Sequence, residues 1–530
     1  MSPRRQHLQG LLEDLGQGLY ERDETLSVAL LATLSGHHSF LYGPPGTGKS
    51  LLARRIAAAF TDSRYFECLM NRFSTPDEVF GPVALSALRN DQYQRQIQGY
   101  LPWADLAFLD EIFKASPAIL NTLLTLINER QFRNGDTLIK VPLKGLITAA
   151  NEIPDPEQGL EALYDRLLVR LVAAPTSEWQ HFAALIQTPT QDSITVRQPI
   201  DNSTWQTWRQ GIPTVTLSED TLTALGQIRT RLAEDLPELY LSDRRWQWAV
   251  SLIKAAAYLE DRDTTHPADL LLLNHMLWHQ PEQRHQVQER ILDALCQLPQ
   301  RVDPALAQLE QLDERLHSLL FYTEDQYDTV EFFPQQFFFA NGGEQRQQRG
   351  GYFYVQRQAV HIHRRAEPVH FDFFVHQSQM ASREPFHPFD PLGHQRENVQ
   401  CQFRDNGILT IRYDEMGRFA NSTFEVEPYS PPRKHRRGDR RYPVDITHLN
   451  TLLAELDEVE LTLCQMKQQA EVALATQRQQ PKPLFIPQAS VKAMQEGWAQ
   501  GISDLELALL RCTALRSLAE DPQCSTCAAS

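Results

Sequence analysis

The residues Gly43-Pro44-Pro45-Gly46-Thr47-Gly48-Lys49-Ser50 have the types and spacing of a phosphate-binding loop. They stand between Ser39-Phe40-Leu41-Tyr42, which reads as a short strand, and Leu51-Leu52-Ala53-Arg54-Arg55-Ile56-Ala57, which reads as a helix. The chemistry dictates each type. Gly43, Gly46 and Gly48 let backbone N–H groups curl around phosphate oxygens, and the helix N-terminus adds its positive dipole end. Lys49 can reach the β- and γ-phosphates of a nucleotide, and the Ser50 hydroxyl can ligate Mg²⁺.

Ala107-Phe108-Leu109-Asp110-Glu111 is an apolar strand ending in two acids. After a phosphate-binding loop this reads as a Walker B pair, with Asp110 on the Mg²⁺ side and Glu111 polarising an attacking water. A third strand, Leu146-Ile147-Thr148-Ala149-Ala150, ends in Asn151, whose amide can orient that water. Between the two, Asn134-Gly135 separates two short strand-like runs, a strong hairpin signal. Arginines follow at Arg166 and Arg170, and again at Arg244 and Arg245 behind a helix N-cap at Ser242 or Asp243. A guanidinium forks onto phosphate oxygens, so any of them could neutralise transition-state charge, or could simply form a surface ion pair.

The elements that must position these groups lie in a chain of 530 residues, 42% hydrophobic and 22% charged, which implies several soluble globular domains. Lys+Arg 51 against Asp+Glu 67 gives −16, a global field that repels phosphates and makes DNA a poor partner. Seven cysteines without framework spacing suit a reducing compartment, and Cys524 and Cys527 near the C-terminus lack a second ligand pair for zinc. With no apolar signal core after Met1 and no apolar run long enough to span a bilayer, the expected location is cytoplasmic.

Three textures divide the chain. Residues 1–200 alternate strands and helices as an α/β core, and 201–300 read as a helical lid. Residues 325–445 are aromatic, His-rich and strand-like. Around them lie apolar series at helical spacing: Leu306, Leu309, Leu312, Leu316, Leu319, then Leu449, Leu452, Leu456, Val459, Leu463, Met466, and after Pro481, Val491, Met494, Trp498, Ile502, Leu505, Leu509. The expected plan is an α/β P-loop core with a helical lid, then a discontinuous three-helix unit (301–324 and 446–520) carrying an inserted β-rich module (325–445), then a flexible tail (521–530). A coiled-coil dimer seam is the rival use of the same stripes.

Within the module, His361 and His363 are expected two apart on one strand face, as a polar face or the start of a metal site. Phe332, Phe333, Phe337, Phe338 and Phe339 are expected in its core. Arg433, Lys434, Arg436, Arg437, Arg440 and Arg441 read as a solvated return linker or as a handle for anionic lipid or an acidic partner.

Taken together, these motifs resemble the AAA+ superfamily. Gly99-Tyr100-Leu101-Pro102, Pro117-Ala118-Ile119-Leu120-Asn121, Asn128-Glu129-Arg130-Gln131-Phe132 and Ala150-Asn151-Glu152 resemble its MoxR group. Gly18-Leu19-Tyr20-Glu21-Arg22, Arg72-Phe73-Ser74-Thr75-Pro76 and Ser242-Asp243-Arg244-Arg245-Trp246 are similar to the regulatory ATPase variant A (RavA) branch. The resemblance implies an ATP- and Mg²⁺-dependent ATPase in a homo-oligomeric, hexameric ring acting as a chaperone-like remodeller. On it Asn151 is sensor 1, Arg166 an arginine finger given to the neighbouring subunit, and Arg244 sensor 2 with Arg245 as fallback. The hairpin becomes the pre-sensor 1 insertion, and a helix-2 insertion falls within 74–100. Implied partners are a von Willebrand factor A-domain protein and membrane-associated respiratory complexes, the latter bringing the chain to the inner face of the membrane. An inducible lysine decarboxylase is bound by the module in that branch, but 325–445 carries no residue-level match to it, which counts against that partner. A nucleotide-dependent scaffold with slow turnover is the alternative function.

Overall fold

The computed structural model describes residues 3–89, 91–154, 160–187, 194–297, 302–332, 350–419 and 423–520. Two compact units emerge: Met1–Val302 with Leu463–Leu507, and Asp303–Thr462 with Ala508–Ser530.

The first unit is built on a five-stranded sheet. Its strands are β1 (Ser39–Tyr42), β2 (Tyr65–Leu69), β3 (Leu106–Asp110), β6 (Gly145–Ala150) and β7 (Val169–Val172), in the order β2-β3-β6-β1-β7. All four pairings are parallel. β1, β3 and β6 are near-continuous apolar runs because helices cover both faces of a parallel sheet. Asp23–Ser35, buried along almost its whole length, is one cover, and it stops at Gly36 in the left-handed conformation. Pro117–Glu129 starts with proline in its first turn and buries Ile119, Leu120, Leu123, Leu126 and Ile127, one face at three- and four-residue steps.

β4 (Gln131–Asn134) and β5 (Thr137–Lys140) form the hairpin expected at Asn134-Gly135. Asn134 staples it to the preceding loop, its Oδ1 accepting from Arg95 N–H at 2.6 Å and its Nδ2 donating to Arg95 O at 3.1 Å. Because the sheet is parallel, the loop after β1, the end of β3 and Asn151 after β6 share the carboxyl edge. His37, His38 and Arg166, which precede β1 and β7, lie toward the amino edge. Helices Glu219–Asp235, Asp243–Leu259 and Pro281–Cys296 follow in the lid region.

The long helices Ile446–Gln479 and Gln488–Glu520 divide between the units, so 446–520 does not form the single block expected from its stripes. The reason is local. Trp498 Nε1 donates to Leu295 O at 2.7 Å, Leu484 N–H donates to Glu260 at 2.7 Å, and Phe485 is buried. Residues 463–507 therefore belong with the lid.

In the second unit, helix Asp303–Leu320 buries Leu309, Leu312, Leu316 and Leu320. It is tied to the outer parts of the long helices by Arg315–Glu455 at 2.6 Å and by Arg511–Asp313. Strands Tyr352–His361 and Val369–His376 pair antiparallel, and Val399–Phe403 pairs with Leu409–Tyr413. Phe353, Phe371, Phe373 and Phe403 fill the core between them. Phe332 stacks on Phe374 with centroids 3.8 Å apart, while Phe333, Phe337, Phe338 and Phe339 lie outside the described residues, as do Cys524, Cys527 and the tail 521–530.

Two expectations change here. The strand ends at His361, so His363 is off its face and instead donates its backbone N–H to His361 Nδ1 at 3.1 Å. Among the described residues no group of three or more His, Cys, Asp or Glu could hold a metal ion. The basic run is not a free linker: Arg433–His435 pairs with Gln326–Tyr327, Arg440 donates to Leu518 O at 3.0 Å and Arg441 to Phe321 O at 3.0 Å. Among the described residues no helix is long and apolar enough to cross a membrane.

Candidate active site

The loop after β1 closes tightly over the sheet. A Cβ at Gly43 would stand 2.3 Å from Ala173 O, so only glycine fits. Gly46 and Gly48 have φ of 79° and 81°, and Gly48 caps the helix Lys49–Ala58. Between them Thr47 Oγ1 donates to Pro44 O at 3.0 Å and fixes the turn. Pro45 and Ser50 complete the loop, Ser50 in the first turn of the helix.

Lys49 is buried, 7% exposed, and its ammonium turns back into the loop. It donates to Gly43 O at 2.7 Å, Pro44 O at 3.0 Å and Asn151 Oδ1 at 3.1 Å. Burial pulls its pKa down, while Asp110 and Glu111 oppose that fall. Lys49, Asp110, Glu111 and Asn151 are thus brought to one place, as their motifs predicted. Burial likewise raises the pKa of Asp110, against the Glu111 N–H donated to its Oδ1 at 3.0 Å and the charge of Lys49. A cation whose carbonyl acceptors can be exchanged, facing a carboxylate with spare lone pairs, suits a phosphate and a divalent metal between them. The donor set therefore fits a nucleotide held by residues 43–50 and Mg²⁺ held by Ser50 and Asp110.

Glu111 sits in the left-handed region, φ 51°, immediately past β3. Its carboxylate is ion-paired to Lys114 Nζ at 3.0 Å. The pair was not visible as such in the sequence, because a lysine three residues on becomes a neighbour only when the strand ends in a 3₁₀ turn, Ile112–Lys114. Arg22 was also missed. Its guanidinium donates to Thr47 O at 3.4 Å and to Ala174 O, bracing the loop from outside.

The four arginines separate. Arg170 and Arg245 are fully buried. Arg245 donates to Leu168 O at 3.0 Å, Asp165 Oδ1 at 3.3 Å and Met276 O. Arg170 is spent on Trp278 O and Tyr164 O, with its guanidinium 3.9 Å from the Tyr164 ring centroid. Both are structural pins between the core and the segment around Met276–Trp278, which removes Arg245 as an alternative for sensor 2. Arg244, next along the helix, is exposed, with its guanidinium 5.8 Å from the Trp248 ring centroid. Arg166 donates to Asn128 Oδ1 at 2.5 Å. Its pKa is lowered by burial and then by Arg244, so these two cations share one neighbourhood.

Residues 6–198 match the model of the MoxR domain in the MoxR-vWA-beta-propeller ternary systems, and residues 220–291 match an AAA lid domain. The chain is similar to two Methanocaldococcus jannaschii proteins of unrecorded function. MJ0812 is 37% identical over 54% of this chain and 74% of its own length, and MJ0079 is 38% identical over 52% and 72%. A solved structure from Cytophaga hutchinsonii, described as a candidate ATPase, overlays 55% of this chain and 94% of its own at 18% identity with a TM-score of 0.44, too low to add weight. With a phosphate-binding loop, two strand-end acids and an asparagine gathered on one sheet edge, and with both models matched in order, the chain belongs to the MoxR-type AAA+ ATPases.

Proposed function

We propose that the chain hydrolyses ATP as a homo-oligomeric ring, a hexamer, and couples hydrolysis to chaperone-like remodelling or activation of partner proteins. The observation that carries this reading is the convergence of Lys49, Asp110, Glu111 and Asn151 at the carboxyl edge of one sheet. Lys49 exchanges its carbonyl acceptors for phosphate oxygens when nucleotide enters. Bound Mg²⁺ supplies charge neutralisation at the β- and γ-phosphates. Asn151 orients a water, and Glu111 takes its proton as the water oxygen bonds to the γ-phosphorus and the bond to the β-bridging oxygen breaks, releasing ADP and phosphate. Arg166 serves the neighbouring subunit's nucleotide as an arginine finger, and Arg244, in the same neighbourhood, is sensor 2.

The matched domain description supports a von Willebrand factor A-domain partner. Kinship with the RavA branch, and with it the respiratory complexes and a peripheral place at the inner membrane face, rests on the motif stretches alone. A cytoplasmic location rests on the scattered cysteines. One observation favours the slower alternative, a scaffold recruiting partners through the β-rich module: Glu111 is held by Lys114 and must leave that pair to act as a base.

The test is ATPase activity per subunit as concentration rises. A finger in trans makes specific activity climb to a plateau, and Arg166→Ala stays flat and lower by about 10³-fold. An active monomer, sized at the lowest concentration, would overturn the assignment.

A further inference from the structure

Away from the phosphate loop, the first unit has a solvent-open cavity of about 360 Å³. Arg130, Arg166 and Arg209 line it, with His37, Asn128 and Trp248 among the other walls, and no lining residue is acidic. The charges converge. Arg130 donates to Gly36 O at 2.6 Å, and Arg209 packs on the same residue, where a Cβ on Gly36 would lie 3.1 Å from its guanidinium carbon. Arg244 adds a fourth positive charge behind Trp248. Among the described residues none of these four has a carboxylate within ion-pair distance; Asp165 acts on Arg166 only from beyond that distance and pairs with Arg245 instead, at 3.3 Å.

Clustered guanidiniums with no ion-paired acid among them raise the free energy of the folded chain, and a bound anion would relieve it. The imidazoles do not fill that role. Burial, Arg130 and Arg209 together push His37 down to about 4, so it is neutral at pH 7. His38 is neutral for the same reasons and accepts Leu146 N–H through Nδ1 at 3.0 Å. The cavity therefore offers forked N–H donors, a neutral ring and an amide, in about 360 Å³, room enough for a small oxyanion.

We propose that this cavity is a second phosphate-binding site, taking a phosphate or pyrophosphate group between Arg130, Arg166 and Arg209. The group could come from the nucleotide of a neighbouring subunit or from a free phosphorylated molecule. Only the first source rests on the ring reading above.

Arg209 is the residue to change. It is exposed and packs on the Trp205 ring at 5.4 Å, and among the described residues it donates no hydrogen bond, whereas Arg130 holds two backbone carbonyls. In full-length Lys49→Ala protein, which weakens the phosphate loop, inorganic pyrophosphate is titrated by calorimetry with and without Arg209→Gln. The expected result is binding that Arg209→Gln weakens about tenfold, with the melting temperature of the anion-free protein preserved. Absent binding, or binding that Arg209→Gln leaves unchanged, overturns the proposal whatever the ATPase does. The source is read by mixing Glu111→Gln subunits with Arg209→Gln subunits. Turnover above the sum of the parts assigns the phosphate to a neighbour's nucleotide, and turnover equal to that sum assigns it to a free molecule. Because the titration needs no assembly, loss of the ring reading leaves it standing.

Discussion

The two edges of the central sheet hold their cations differently. At the carboxyl edge Lys49 is buried but answered, by two carbonyls and an amide at hydrogen-bond distance and by the charges of Asp110 and Glu111. Toward the amino edge Arg130, Arg166 and Arg209 gather around a cavity whose walls carry no acid. The first arrangement is self-consistent and waits to exchange one set of acceptors for another. The second has no ion-paired acid, and in the proposal above a bound anion completes it. A parallel sheet with its chemistry at one edge can thus present an anion-receiving surface at the other.

The largest effect should come from the self-consistent edge. Glu111→Gln keeps the shape but removes the proposed base, so turnover should fall by about 10²–10⁴-fold while nucleotide binding persists. Single-turnover hydrolysis with a parallel binding titration checks both halves. If turnover fell less than tenfold, Glu111 would be a partner of Lys114 rather than a base, and the scaffold reading would gain.

The next test sharpens the other edge, where two adjacent arginines have opposite roles. Arg245→Ala removes a fully buried pin and strands the carbonyls of Leu168 and Met276, at a cost of about 3 kcal/mol in chemical denaturation. Arg244→Ala is exposed and should change stability by no more than about 0.5 kcal/mol. Equal losses at both positions would break the distinction.

That distinction also marks what the sequence could carry. The phosphate loop was legible because its function is written in eight consecutive residues, and the acids and Asn151 because each ends an apolar strand. The Asn134-Gly135 hairpin was legible for the same local reason. Arg244 against Arg245 was not, since neighbours on a helix point about 100° apart and only the packing against Met276–Trp278 decides which is buried. The arginine cavity was not legible at all: residues 37, 130 and 166 come from segments leading into strands, 209 and 248 from helices that follow the last strand of the sheet, and only folding brings them together. The basic run at 433–441 read as one patch because charge counts ignore pairing, and a strand pairing with Gln326–Tyr327 divides it. The stripe of 446–520 read as one block because periodicity names a buried face but not its partner.

The smallest expected effect probes the incomplete edge through acidity. His37 takes a proton in the unfolded chain near pH 6.5 but in the folded chain only near 4, because burial, Arg130 and Arg209 disfavour the imidazolium. Below about pH 6.5 the unfolded state therefore binds more protons, and stability falls as pH drops toward 4. By pH 5 this one group should cost about 2 kcal/mol. The check is the difference in unfolding free energy between wild type and His37→Gln at pH 7.5 and pH 5, which cancels every other titrating group common to both. The difference should move by that amount in favour of the variant at pH 5. Pyrophosphate sharpens the comparison further: an anion seated among the arginines screens them from His37, raises its folded pKa and shrinks the shift. A shift untouched by saturating pyrophosphate would mean that the anion does not reach the arginines beside His37, and the two edges would then differ in charge alone rather than in function.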